Sequence, residues 1–294
     1  MATGWTTTGS LADSLDDVRS SARIVREMEG VVPQLVDKKT LGEGIGLSWQ
    51  EITYAALTAQ TITETTDLDN PQQLSDSIMS ITPSVVGVET FITDRVKARI
   101  SKIGLAQTGS LAQNAIQRKK DEDGLTLFAS GATTASPTAG VTLTSGHIAA
   151  AKFAISSNAT EPGNPPYRCV LHGYQIKDLY DEIVGGVGTY PVGDGMTARV
   201  FTEGYSGKVS GVEIYEDGNI AIDTSDDAIG AVFAQEGIVL VQGRAPRIVA
   251  VRNEKRGAGG EHIYHYDEYA YGERPSAAYG WVQQIKSDAT APTS

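Results

Sequence analysis

A threonine-rich stretch near the start of the chain limits what this sequence can fold into. Residues 45–54 and 57–66 are two runs of β-forming residues separated by only two positions. Glycines precede the first run, and the polar residues 67–71 follow the second. The pattern predicts a long β-hairpin within residues 37–75. A two-stranded hairpin has open edges and is marginally stable alone, so we expect it to pack against a neighbouring copy of the chain.

The hairpin is expected to reach that neighbour through residues along its length. Glycine adopts backbone angles that other residues avoid. The glycines at the base would therefore let the same sequence bend to different extents in different copies of the chain. The predicted contact residues of this extended loop are Gly42, Gly44, Gly46, Trp49, Ile62 and Leu68.

Residues 1–36 are polar and weakly helical. Leu11, Leu15 and Val18 give them a loose apolar stripe at helical spacing. Such a stripe is too thin to hold a core, so the segment is predicted to be an arm that packs against another subunit through these three side chains.

The next part of the chain combines a strand with helices. Residues 78–92 favour a strand, and Thr93 and Asp94 can cap a helix that follows it. Gly104 and Gly109 are expected to interrupt that helix, and Ser110 to begin a second one that ends near residue 123.

A Gly/Ala/Thr/Ser-rich linker at residues 129–146 is predicted to separate this region from an alternating α/β block. Further strands are expected near the C-terminus. The predicted elements are helices at 144–156 and 175–183, a glycine-rich loop at 185–195, and strands at 167–172, 208–215, 220–222, 231–233, 237–241, 247–252, 261–271 and 281–285.

Bulk composition excludes several classes of protein. The formal net charge of −12 and pI near 4.8 are not those of a sequence-specific DNA-binding protein, which usually has a basic patch. The single cysteine, Cys169, rules out an intramolecular disulfide. No apolar stretch approaches the roughly 20 residues of a membrane span, and the N-terminus lacks a signal-peptide layout. We therefore expect a protein made and kept in a cytoplasm.

Motifs that carry chemistry are scarce in this sequence. It has no phosphate-binding GxxxxGK[ST] loop, HExxH, GxSxG or CxxC. Gly42, Gly44 and Gly46 lack the buried strand and helix that would aim amide groups at a phosphate. His262 and His265, three apart on a predicted strand, would face opposite sides and could not easily share a metal. The sequence favours a structural protein with no cofactor, no metal and no catalytic residues.

Three stretches carry a resemblance to a known family. They are YRCVLHGYQIKDL at residues 167–179, QEGIVLV at 235–241 and RPSAAYG at 274–280. With the order of arm, hairpin, helices, α/β block and returning strands, they resemble the major capsid proteins of tailed bacteriophages. The first stretch is similar to a family strand that ends in a His-Pro-like turn, although Gly173 replaces the proline.

The resemblance implies an α+β, Hong Kong 97-type fold over nearly the whole chain. Its axial loop, which gathers near the symmetry axes, would contain Gly185, Gly186 and Gly188. The implied divisions are an N-terminal arm at 1–36, an extended β-hairpin loop at 37–75, a peripheral domain at 76–144 and 241–290 with a spine helix near 110–128, an axial domain at 145–240 and a tail at 291–294.

The function that the resemblance implies is self-assembly, as hexamers and pentamers, into the icosahedral head of a phage virion in the cytoplasm of a bacterial host. The partners implied are other copies of the chain, a portal and packaged double-stranded DNA without sequence-specific contact, and no membrane. Some relatives carry a long scaffolding region that is cleaved off, whereas the arm here begins almost at once. A separate scaffolding protein is therefore expected, with a decoration protein left open.

Three alternatives stay open on sequence alone. An encapsulin, a bacterial compartment of the same fold, would need a cargo-binding groove. A phage tail or decoration protein would be smaller and more uniformly β. An enzyme would need a site that the motifs do not reveal.

Overall fold

A 14-residue strand, β12 (Gly260–Glu273), lies at the centre of the first sheet. It pairs antiparallel with β4 (Ser84–Thr93) along one edge. Along its other edge it pairs antiparallel with β11 (Arg247–Asn253) and then with β10 (Ile238–Gln242). The strand β1 (Asp37–Thr40) adds to β10 in parallel. The strands predicted at 247–252 and 261–271 are confirmed as β11 and β12.

The structure is a computed structural model, and it describes residues 28, 30–65, 71–99, 102–130, 134–135, 137–185, 207–255, 259–275 and 280–292. All statements about structure below concern these residues.

The second sheet contains the predicted α/β block. Its strand order is β5 (Thr134–Ala135), β13 (Val282–Asp288), β9 (Asp227–Ala234), β6 (Tyr167–Leu171), β8 (Val212–Glu216) and β7 (Lys208–Val209). The central strands β9 and β6 are buried almost throughout, which explains their continuous apolar sequence.

The helices are α1 (Val32–Leu35), α2 (Asp94–Arg99), α3 (Lys102–Ser130), α4 (Ser145–Ser156) and α5 (Gly173–Gly185). The 29-residue helix α3 packs against β12 and β4 of the first sheet and β9 and β13 of the second. Phe128 of α3 is fully buried, and its ring centroid lies 5.6 Å from that of Phe233 on β9. The long helix therefore ties the two sheets together through a shared core.

A buried polar cluster also fastens α3 to the first sheet. The Lys120 ammonium lies 3.1 Å from Asp267 Oδ2 on β12 and donates to Gln242 Oε1 at 2.7 Å. Gln242 in turn donates to Asp267 Oδ1. The Asp267 side chain is 2% exposed and that of Lys120 is 9% exposed, so the charges compensate each other away from water.

The hairpin has a different second strand from the one predicted. Strand β2 (Trp49–Tyr54) pairs antiparallel with β3 (Asp76–Ile81), and residues 57–65 form no strand. Met79 and Ile81 of β3 pack against Val239 and Val241, whereas residues 57–65 are all exposed. Burial of apolar side chains selects the pairing partner, and threonine-rich sequence without such burial does not form the strand.

The helix prediction was wrong at its glycines. Gly104 and Gly109 do not divide the helix, because α3 runs unbroken from Lys102 to Ser130. A glycine inside a helix costs only about 1 kcal/mol. Packing of α3 across both sheets offsets that cost.

Three smaller predictions also need correction. The predicted 129–146 linker contains the end of α3 and the strand β5, which pairs with β13. The predicted strand 208–215 is divided into β7 and β8 by a turn with positive φ at Ser210 and Gly211. Residues 220–222 contribute only an isolated bridge from Ile222 to Ala228.

The C-terminal strand β13 lies apart from the other late strands. It pairs with β9 in the second sheet, together with the strands of residues 145–240, rather than joining β10, β11 and β12. This strand thus lies within the predicted peripheral segment 241–290, whereas its sheet is built mainly from strands of the predicted axial segment 145–240.

Candidate inter-subunit interface

The hairpin of β2 and β3 has two unlike faces because side chains alternate along each strand. Trp49 and Met79 lie on the face that packs, with Ile81, on the first sheet. We call this the base face. Ile52 and Ile78 lie directly opposite each other on the other face, which we call the open face.

Large apolar side chains on the open face and beside it are exposed. Ile52 is 52% exposed, Ile78 60% and Tyr54 67%. The connecting segments add more exposed apolar residues: Ile45, Leu47, Leu57, Ile62 and Leu74. Single exposed apolar residues are ordinary, but a contiguous apolar surface indicates an interaction site.

Arg274 anchors the base of the hairpin to the rest of the chain. Its Nε donates to Glu51 Oε2 on β2 at 2.8 Å, and its Nη2 donates to Asp37 Oδ2 on β1 at 2.9 Å. Its Nη1 donates to the Glu236 carbonyl at 2.6 Å. Burial lowers the pKa of Arg274, but its hydrogen bonds to Glu51 and Asp37 outweigh that effect and raise the pKa. One guanidinium thus fixes the direction in which the hairpin leaves the first sheet.

We expect Arg274→Met to lower the free energy of unfolding by about 2–3 kcal/mol, because it removes charged hydrogen bonds that are largely shielded from water. Chemical denaturation of the unassembled chain measures this. The matched control is Arg252→Met, since Arg252 pairs with Asp94 and Glu254 at the exposed surface, where ion pairs contribute little. Equal effects of the two substitutions would contradict the anchoring role.

The glycines predicted at this site lie at the start of the loop. Gly44 has φ of 82° and Gly46 has φ of 116°, so both adopt backbone conformations that favour glycine. Gly42 lies beside Ile45, whose Cδ1 would be 2.8 Å from an added Cβ. The three residues are exposed, and they form the turn that leads into β2.

Among the other predicted contact residues, Ile62 is exposed, as a contact residue requires. Trp49 is half-buried on the base face, where it packs on its own chain. Gly185 is the last residue of α5. Leu68, the arm residues Leu11, Leu15 and Val18, and Gly186 and Gly188 lie outside the described residues.

The open face is what reasoning from the sequence missed. The alternation of Ile52 and Tyr54 was available as a signal. Ile78, the cross-strand partner of Ile52, was assigned to a separate strand, so the pairing of the two isoleucines was not predicted.

A second half-exposed surface lies on β12 and its neighbours. The rings of Tyr264 and Tyr266 stack at 5.8 Å, and those of His262 and Tyr264 at 5.9 Å. The Tyr266 ring covers Gly87 on β4, where an added Cβ would lie 2.8 Å from the ring. Tyr264 and Tyr266 therefore pack on one face of the sheet, and Val251 beside them stays 48% exposed.

The histidines have structural partners. His262 contacts Glu89 and Asn253, and His147 Nδ1 accepts from the Thr144 N–H at the start of α4. His172 Nδ1 accepts from the Tyr174 N–H, and burial lowers the pKa of His172. Burial likewise raises the pKa of the Cys169 thiol, so this cysteine stays protonated.

Within the described ranges, no cluster of three or more histidine, cysteine or acidic residues could hold a metal ion. In the same part of the chain, none of the helices is both long and apolar enough to cross a membrane.

Comparisons with known proteins find similarity in structure but not in sequence. Neither a protein-family model nor a curated protein sequence matches the chain. A structure described as Mycobacterium phage Che8 matches with 16% identity and a TM-score of 0.70 over 92% of this chain and 96% of that one. The Cyanophage Pam1 capsid asymmetric unit matches with 11% identity and a TM-score of 0.70 over 98% and 99%.

The capsid of Ralstonia phage GP4 matches with 12% identity and a TM-score of 0.69, over 93% of this chain and 95% of that one. At such low sequence identity, these structural matches establish the fold and nothing finer. The α+β prediction is confirmed, and the chain has the Hong Kong 97-type fold of tailed-phage capsid proteins.

Proposed function

We propose that the chain is a major capsid protein that assembles with many copies of itself into the icosahedral head shell of a tailed phage. The observation that carries the proposal is the likeness to capsid structures along nearly the full length of both chains. The match covers most of both chains, which supports the role of a shell subunit for the chain rather than for one part of it.

The hairpin supports the same proposal from physical chemistry. Its open face and connecting segments expose large apolar side chains, and its base is fixed by Arg274. A neighbouring subunit that covers the open face would bury it. Each such contact can be modest, because a closed shell holds every subunit by several contacts at once.

No catalytic step enters this function, and no cofactor is needed. The proposed location is the virion, and the proposed assembly units are hexamers and pentamers. A separate scaffolding protein and a portal are proposed partners, and a decoration protein is a further one. The net charge of −12 suits a wall that confines DNA without binding its phosphates.

The nucleic acid content of particles tests the finer part of the proposal. Particles containing this chain are purified from the producing bacterium, treated with nuclease and then opened. The proposal predicts protected double-stranded DNA of uniform length. Particles that hold a cargo enzyme and no DNA would instead indicate an encapsulin.

A further inference from the structure

Two buried aspartates meet beneath the segment that leads into β1, residues 30–36, here called the lead-in segment. Asp121 of α3 and Asp217, in the turn after β8, are both 0% exposed. Asn219 donates hydrogen bonds to both carboxyl groups, so the two lie close together. Two adjacent buried carboxylates cannot both be ionised without a large cost, so the pair keeps one proton to a higher pH than a hydrated carboxyl group does.

The same carboxyl groups hold the backbone of the lead-in segment. The Val32 N–H donates to Asp121 Oδ1 at 3.1 Å, and the Val31 N–H lies 3.4 Å from Asp217 Oδ2. Asn219 adds a bond from Nδ2 to Asp121 Oδ2 and one from its backbone N–H to Asp217 Oδ1, both of 2.9 Å. The pair therefore joins α3, the turn after β8 and the lead-in segment.

Gly30 shows how closely the lead-in segment approaches the pair. A Cβ added to Gly30 would lie 2.0 Å from Asp121 Cγ. No side chain fits there, so the backbone itself covers the carboxyl group and shields it from water.

We propose that the buried pair of Asp121 and Asp217 is a pH-dependent latch, which holds the lead-in segment in place and releases it when the pair loses its proton. The latch would act on the segment that connects the arm to the first sheet. It is a property of the single chain and does not depend on the proposed function.

Among the residues that the structure describes, the cations on α3 already have partners and do not neutralise a second negative charge at the pair. Lys120 is bound to Asp267, and Arg118 pairs with Glu122. Asp123 accepts a hydrogen bond from Tyr269 on β12. The lead-in segment contributes no titratable side chain. Other described titratable neighbours are Tyr271 on β12, Glu216 beside Asp217, and His172 before α5.

The direction of the pH effect follows from the protonation of each state. Burial, aided by the charge of Asp217, raises the pKa of Asp121 from its ordinary value of 3.8 to about 7. In the released state Asp121 is hydrated and its pKa returns towards the ordinary value. The latched state thus holds one more proton between pH 4 and 7, so the latch weakens as pH rises through this range and stays constant above it.

Hydrogen–deuterium exchange of the unassembled full-length chain tests the proposal. Protection factors of the lead-in amides, corrected for intrinsic exchange, are measured at pH 5, 6, 7 and 8, with the amides of α4 as reference. We expect lead-in protection to fall by up to roughly tenfold per pH unit between 5 and 7 and to level off above 7. Protection that is flat from pH 5 to 8 in the wild-type chain would overturn the proposal.

The variant Asp121→Asn removes the carboxyl group whose pKa is raised. Its amide oxygen can still accept from the Val32 N–H, and the amide does not titrate, so the protection should no longer depend on pH between 5 and 7. The matched control, Asp226→Asn, changes an exposed aspartate near β9 and should keep the wild-type slope. A wild-type slope in a folded Asp121→Asn chain would also overturn the latch. If that variant does not fold, the wild-type profile alone decides.

Discussion

The double variant Ile52→Lys with Ile78→Glu is expected to form no shells while its monomer stays folded. The two residues face each other across β2 and β3, so the new lysine and glutamate can pair and leave the hairpin intact. Each isoleucine is already partly buried, so a neighbour that covers the rest of it contributes about 1–2 kcal/mol. The substitutions remove this contribution and place charges in the contact, and the loss recurs in every subunit of a shell.

Negative-stain microscopy of the assembled fraction and circular dichroism of the unassembled fraction measure this result. The matched control is Ile52→Val with Ile78→Val, which keeps the open face apolar and should assemble. Normal shells from the charged variant would show that the open face is not buried between subunits.

The second large effect is expected at the buried pair of Lys120 and Asp267. Lys120→Met should lower the free energy of unfolding by about 3–5 kcal/mol, because it leaves the Asp267 carboxylate buried without its counter-charge. The fully neutral variant Lys120→Met with Asp267→Asn should recover at least half of that loss, since no unpaired charge remains. Gln242 can still donate to the amide oxygen that replaces the carboxylate.

Urea denaturation of the two single variants and the double variant gives the coupling energy directly. If the losses of the single variants simply add in the double variant, Lys120 and Asp267 do not stabilise each other. In that case α3 would be fastened to the first sheet by its apolar contacts and by the hydrogen bond from Tyr269 to Asp123.

The local sequence predicted those strands and helices in which the pattern of apolar residues also determines which side chains are buried. The runs at β6, β9 and β10 are continuous and apolar, and all three are buried strands. Alternation in residues 261–271 predicted most of β12, and Thr144 marked the start of α4. In these segments the chain's own periodicity carries enough information.

The elements that were predicted wrongly depend on contacts with distant parts of the chain. The return strand of the hairpin is β3 because Met79 and Ile81 find Val239 and Val241. The helix α3 continues through Gly104 and Gly109 because it packs across both sheets. Neither set of contacts can be predicted from the secondary-structure propensity of the local sequence.

The same limit applies to the candidate interface. Threonine-rich sequence near the start predicted a hairpin, but its open face is defined by the pairing of Ile52 with Ile78. Likewise, no local motif around Asp121 or Asp217 predicts that the two residues are neighbours in the fold. Such pairs become visible only when the fold brings them together.

A cryo-electron microscopy map of the assembled protein tests the central claim most directly, because it shows what covers the hairpin. The account predicts that the open face lies against an adjacent subunit, with Ile52 and Ile78 buried between the two chains. A map in which both isoleucines face solvent, or in which the hairpin folds back onto its own chain, would contradict it.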